Sequence, residues 1–313
     1  MGHKYIDQDV VPAILSSDVE DNLIELYFDD EPLESILYGV NQRKPSPANL
    51  FRAARICING VINSFNEGNV PKFIAAASAL GNTDMEISAQ TCSILAGAIG
   101  AFFPYYPNPV MPYDLGPLKE LLEKIWTIAA QSGDDDLQDK TGSLLFRWYE
   151  HHGRYEEARK VLARLIEIAT EKGNRRGEAL YLNNLGFEYL LESRWSEAIP
   201  YFEEATQLFM EADITFEMMN ARANCWICRF EAGDFGDISS TEADVKEIMD
   251  FFTGSGRWYE RKALVLMAKI EERKGNSEGA AQLVGRAIES AKNSNTRYPE
   301  LDAKYLRALL EAQ

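Results

Sequence analysis

The sequence predicts an all-α chain, a superhelix of stacked antiparallel helix pairs, and three observations predict it. Leu, Ala and Glu dominate a chain of 313 residues that is 46% hydrophobic, while the Val-rich alternation of sheet strands is scarce. A short phrase also recurs: "GRYEEA" (Gly153 to Ala158) returns as "SRWSEA" (Ser193 to Ala198), "GDFGDI" (Gly233 to Ile238) and "GNSEGA" (Gly275 to Ala280). Its last residues fall at 158, 198, 238 and 280, in steps of 40, 40 and 42. Finally, each phrase is a small-polar-aromatic turn between two apolar-periodic segments, such as Gly142 to His151 and Glu156 to Ala169. Gly153, Gly233 and Gly275 suit the left-handed residue that ends a helix. So short a connection makes two helices antiparallel neighbours, and stacking the pairs builds a solenoid.

Taken in order, residues 1–45 read as an acidic helical arm. Residues 1–34 hold ten acids against the single Lys4, and "NLIELYF" (Asn22 to Phe28) is its amphipathic anchor. The start, "MGHKYIDQDVV", lacks a basic run followed by a long apolar core, so no secretory signal is read and a cytoplasmic chain is the expectation. Residues 46–138 read as degenerate helix pairs. Pro47 to Phe65 and Pro71 to Leu80 flank the turn "NEGNV"; Asp84 to Phe102 and Leu115 to Ala130 flank a Pro/aromatic loop within 102–117. That loop, "FFPYYPNPVMPY", is either a polyproline-like recognition arm or a cover for an open end of the stack. Its prolines break the longest uncharged run, Ile87 to Tyr113, so no membrane-spanning helix of roughly 20 apolar residues is expected.

The acid-rich "GDDDLQD" (Gly133 to Asp139) lacks the Gly and late Glu offsets of a calcium loop and reads as a solvated loop supplying a helix N-cap. Residues 139–296 carry the repeats, and 297–313 a capping helix opened by Pro299, with Lys304 and Arg307 on a polar face.

Within the repeats, Leu182, Leu185-Gly186, Tyr189, Ala198, Phe202 and Ala205 stand at the offsets of a known pattern. This segment resembles the tetratricopeptide repeat, with Met210 where a proline is usual. The turn ending at Ala158 keeps Leu145, Tyr149 and Leu162; the one at Ala280 keeps Leu264, Met267-Ala268 and Ala287; the one through Ile238 is degenerate, with Cys225-Trp226 in place of Leu-Gly. The period near 40 exceeds the roughly 34 residues usual for the repeat and is similar to the longer repeats of kinesin light chains. The packing logic is that Gly186 and Ala198 let the two helices of a pair approach, Tyr189 and Phe202 fill the space around them, and Leu182 and Leu185 seal against the preceding pair.

The resemblance implies a non-catalytic scaffold that holds a peptide segment of a partner in its concave groove. In such scaffolds an asparagine at the sixth repeat position grips peptide backbone, a role that the resemblance assigns to Asn184 and Asn224. Asn183 is adjacent and Asn220 lies one turn before Asn224. An amide offers donors and an acceptor, so it suits backbone recognition. The alternative is that these asparagines bond neighbouring turns and hold repeats in register. Arg147, Phe187, Ile227, Lys262, Lys269 and Arg273 project to the same face, with Arg147 and Lys269 as candidates for acidic groups on the ligand. A carboxylate clamp would need basic fifth positions; Ser143, Asn183, Ala223 and Val265 stand there instead.

The net charge of −17 argues against nucleic acid as a partner, because phosphate binding requires clustered Lys and Arg. Residues 257–313 hold eleven Lys/Arg against eight acids. The acidic arm could therefore occupy the chain's own basic end as an auto-occupied regulator, or support a homo-oligomer; plain solubility is the simpler reading of the asymmetry.

Cys57, Cys92, Cys225 and Cys228 are too few and scattered for a disulfide framework, and "CWIC" sits mid-helix, where its thiols read as core. His151 and His152 point about 100° apart on a helix and do not face one metal. No phosphate loop, dinucleotide turn, nucleophile elbow or His-Glu zinc helix is present, so neither cofactor, metal nor catalysis is expected.

Overall fold

The computed structural model describes residues 116–254 and 258–292, together with Cys92 and Ala96. The acidic arm 1–45, the helix pairs upstream of Leu115, nearly all of the Pro/aromatic loop, Cys57 and the capping helix 297–313 lie outside the described residues. The described chain is α-helical throughout and divides into two compact units, one ending at His151 and the other starting at His152.

In the first unit, α1 (Gly116–Ser132) buries Leu118, Leu121, Leu122, Ile125 and Ala129, the stripe expected of a one-faced helix. It packs against α2 (Asp135–His151). The acid-rich stretch does supply the cap, since Asp134 accepts from the Leu137 amide at 3.0 Å. The helix nevertheless begins at Asp135 rather than Gly142, because Asp135 and Asp136 in its first turn complement the positive end of the helix dipole. It therefore runs across the boundary read at 138/139. Across the pair, the Tyr149 hydroxyl donates to Glu123 at 2.5 Å.

The second unit contains α3 (Tyr155–Glu171), α4 (Arg175–Leu191), α5 (Trp195–Glu211), α6 (Thr215–Ala232), α7 (Ile238–Phe252), α8 (Trp258–Arg273) and α9 (Ser277–Lys292). A finer rhythm underlies the 40-residue period. Helix starts fall at 135, 155, 175, 195 and 215, each 20 residues after the last. A left-handed residue stands two residues before each of these starts, at Gly133, Gly153, Gly173, Ser193 and Asp213, and another, Gly233, follows α6, 20 residues on. The amide after it bonds back to the carbonyl five residues earlier, as in Arg194 to Tyr189 and Ile214 to Phe209, which satisfies an otherwise orphan helix end.

Two of these positions lack glycine. Asp213 (φ 57°) is a residue type that tolerates the left-handed region, whereas Ser193 (φ 59°) is strained there. Ser193→Gly is expected to stabilise the chain by about 0.5–1 kcal/mol, the left-handed penalty less the extra unfolded-state freedom of glycine. A rise in the urea midpoint at constant slope would show it.

Within this unit the even-numbered helices α4, α6 and α8 pack side by side, while successive odd-numbered helices touch each other far less. The even helices form the inner row and the odd helices the outer one. The two rows are joined at Gly186 of α4, where a built Cβ would stand 2.9 Å from Cε1 of the enclosed Phe202 of α5. Ala198, Phe202 and Ala205 are all fully buried, as the repeat pattern implies. Tyr189 is only half-buried. Its ring stacks on Tyr201 at 5.4 Å, and the guanidinium groups of Arg159 (4.8 Å) and Arg194 (4.6 Å) lie against it.

Candidate functional site

The inner row carries a polar ladder through the apolar layer. Asn224 of α6 donates through Nδ2 to Asn183 Oδ1 of α4 at 3.2 Å. Lys262 of α8 donates to Asn224 Oδ1 at 2.6 Å and to Asn220 Oδ1 at 2.7 Å. Three successive inner helices are thus linked by side chains 38 to 42 residues apart. The ladder is enclosed, with Asn224 1% and Lys262 3% exposed. A buried ammonium is costly unless its protons are matched. Here two amide oxygens take it and the Tyr259 ring stands 5.8 Å away. Asparagine is a poor helix former; it is suited to this place because one amide relays a bond by accepting from Lys262 and donating to Asn183.

Asn184, the neighbour of the ladder, is different. It is half-exposed, and among the described residues its side chain makes no hydrogen bond. Leu180 and Phe187 lie four residues before and three after it, hence on the same helix face. Leu180 is 40% exposed, and Phe187 is half-buried against the core. The α4 face of the inner row is therefore an unengaged amide between two apolar side chains.

The other expected residues are distributed as follows. Lys269 of α8 pairs with Glu231 of α6 at 2.5 Å, so its charge is matched within the row. Ile227 is fully buried, and Arg273 lies 4.5 Å over the Phe235 ring. Arg147 is exposed on α2 of the first unit, 5.8 Å from the Phe146 ring. Cys225 and Cys228 are enclosed in α6. Burial pushes the Cys225 thiol up to about 11 and Cys228 higher still, so both are protonated and unreactive near neutral pH.

Sequence reasoning placed Lys262 on this face without seeing that it joins the ladder, and did not mark Leu180. The 42-residue last step carries a signal for the first, because it puts Lys262 in register with Asn220. Glu188 and Arg261 are enclosed charged residues that nothing in their helical pattern distinguishes from solvated ones. Among the described residues no three His, Cys, Asp or Glu side chains converge on one point, and no helix is long and apolar enough to cross a membrane.

Residues 147–211 match the tetratricopeptide repeat family. The tetratricopeptide match thus spans the end of α2 and the helices α3, α4 and α5. Solved structures resemble it along most of its length. The apo form of RapI matches at a TM-score of 0.59 and 10% identity, covering 96% of this chain and 81% of that one. Aspartyl phosphate phosphatase F from Bacillus subtilis matches at 0.54 and 14%, covering 93% and 78%. TPR-like repeats of a Podosopora anserina kinesin light chain match at 0.48 and 14%, covering 68% of this chain and all of that one. At these identities the likeness to the first two is one of fold. No curated protein matches the chain. The repeats matched by the family include α4 and α5, so Asn184 and the Gly186–Phe202 contact both stand on a tetratricopeptide pair.

Proposed function

We propose that the inner row of the second unit binds a segment of another protein and that the chain is a non-catalytic interaction scaffold. One observation carries this reading: Asn184 presents an unbonded amide between Leu180 and Phe187, directly beside a ladder that fixes the backbone carrying it. An amide that can donate and accept suits a peptide backbone, and the flanking apolar side chains suit alternate side chains of that peptide. Asn183 and Asn224 serve the surface by holding α4, α6 and α8 in register. Asn220 keeps its amide donors for the ligand while its oxygen holds Lys262. Pre-organisation of this kind lowers the ordering cost of binding and requires no bond chemistry.

The test is a pull-down from cross-linked lysate with quantitative mass spectrometry. Wild type is compared with Asn184→Ala and Leu180→Glu after circular dichroism has shown equal helicity. A common set of proteins is expected to be lost from both variants. For any partner so named, Asn184→Ala is expected to weaken binding by up to about tenfold, the loss of one or two net hydrogen bonds. Recovery of the same proteins at the same levels from all three would refute the reading.

A further inference from the structure

The outer row carries a second surface that neither the inner row nor the repeat pattern requires. The helices α5 and α7 stand apart over the first half of α6 and leave an open cleft of about 490 Å³. Its floor is Ile214 and Met218, half-buried and packed on a core cluster that includes Leu208 and Phe209. Its lip is Met210, 55% exposed and the residue that replaces the usual proline of the repeat. Methionine is unbranched and polarisable, so a floor and lip of Met adapt to varied apolar side chains.

Charge selects the occupant. The one cation in the lining, Arg222, donates to Glu247 at 2.9 Å and lies 3.7 Å from Asp244, so its charge is matched. Asp213 in the lining and Glu211 beside it are exposed acids at the rim. The chain as a whole carries −17. An apolar trough between two helices with an acidic rim is complementary to a third helix that lays an apolar ridge into it and points Lys or Arg at the walls. We infer that the cleft between α5 and α7 docks a basic amphipathic helix of a partner protein. The inference does not rest on the inner-row reading and goes beyond it, since it gives the scaffold two faces that can be occupied together.

The probe is a synthetic Leu/Lys peptide of about 18 residues with its leucines on one helical face. It is titrated into the full chain labelled with ¹³C at its eight methionine methyls. The controls are the same residues scrambled so that no apolar face forms, and a Leu/Glu peptide. The expected result is that Met210 and Met218 resonances shift with the amphipathic Leu/Lys peptide alone. Met210→Ser should weaken binding about fivefold and Glu247→Lys about tenfold, while Asn184→Ala should change nothing. Equal shifts with the scrambled peptide would mean attraction to net charge only and overturn the inference. Shifts at other methionines, or none, would also overturn it. Self-association of the free chain that Met210→Ser abolishes would assign the cleft to a second copy, again against the inference.

Discussion

Phe202→Ala is expected to be the most damaging single substitution in the described helices, costing about 4 kcal/mol. The Phe202 ring is fully buried and sits on the bare backbone of Gly186, at the junction of the inner and outer rows. Truncation leaves a cavity that neither row can close, because α4 is held by buried Leu182, Leu185 and Leu190 and α5 by buried Ala198, Ala205 and Phe209. Gly186→Ala tests the same contact from the other side. Alanine in a helix interior normally stabilises by about 1 kcal/mol. Here its Cβ would stand 2.9 Å from Phe202 Cε1 and 3.0 Å from Cζ. The substitution should therefore destabilise, by about 1–2 kcal/mol net of the propensity gain. Combining it with Phe202→Leu, which withdraws the ring edge, should cost less than the sum of the two. Since solenoid stability is a sum over repeats and their interfaces, hydrogen exchange should show the loss concentrated in α4 and α5. If Gly186→Ala stabilises the chain, the contact is not the constraint claimed for it.

Asn224→Ala is expected to cost about 3 kcal/mol. It takes from the Lys262 ammonium one of its two amide acceptors and leaves Asn183 Oδ1 without its donor, both inside the protein. The distinctive readout is coupling. Lys262→Met alone leaves the oxygens of Asn220 and Asn224 unmatched. Once Lys262 is Met, Asn224→Ala has no charge left to strand, so the second loss should be smaller by at least about 1 kcal/mol. Additive costs in a urea double-mutant cycle would show that the ladder does not act as a unit.

How much of this could be read beforehand differs residue by residue. The all-helical class and the stacking of pairs followed from the recurrence of the GRYEEA phrase, because a turn repeated at constant spacing fixes helix length on both sides. The finer 20-residue rhythm was equally present, but it is carried by backbone conformation. Gly133, Gly153, Gly173, Gly233, Ser193 and Asp213 share a left-handed φ between 57° and 75°, and no residue type marks all six. The Gly186–Phe202 contact was legible because glycine in a helix has few uses besides close approach. Two caps were legible in principle and went unread: Asn174 and Asn276 each accept from a glycine amide three residues on, at 3.0 and 3.1 Å. The ladder was legible only in part. Paired asparagines flagged the place, yet which amide turns inward depends on how α4, α6 and α8 meet, a tertiary choice that helical spacing does not specify. The cleft between α5 and α7 left no trace in periodicity, since it is a gap between elements.

Whether the inner row is the surface that meets a partner is tested most directly by site-specific photo-cross-linking. A photoreactive residue is placed at Leu180, on the exposed face beside Asn184, and separately at Lys160, exposed on the outer helix α3. Position 180 is expected to capture a protein which position 160 does not, and Asn184→Ala in the same chain is expected to reduce the yield severalfold. Capture of that protein equally from position 160, or a yield unchanged by Asn184→Ala, would contradict the inner-row reading.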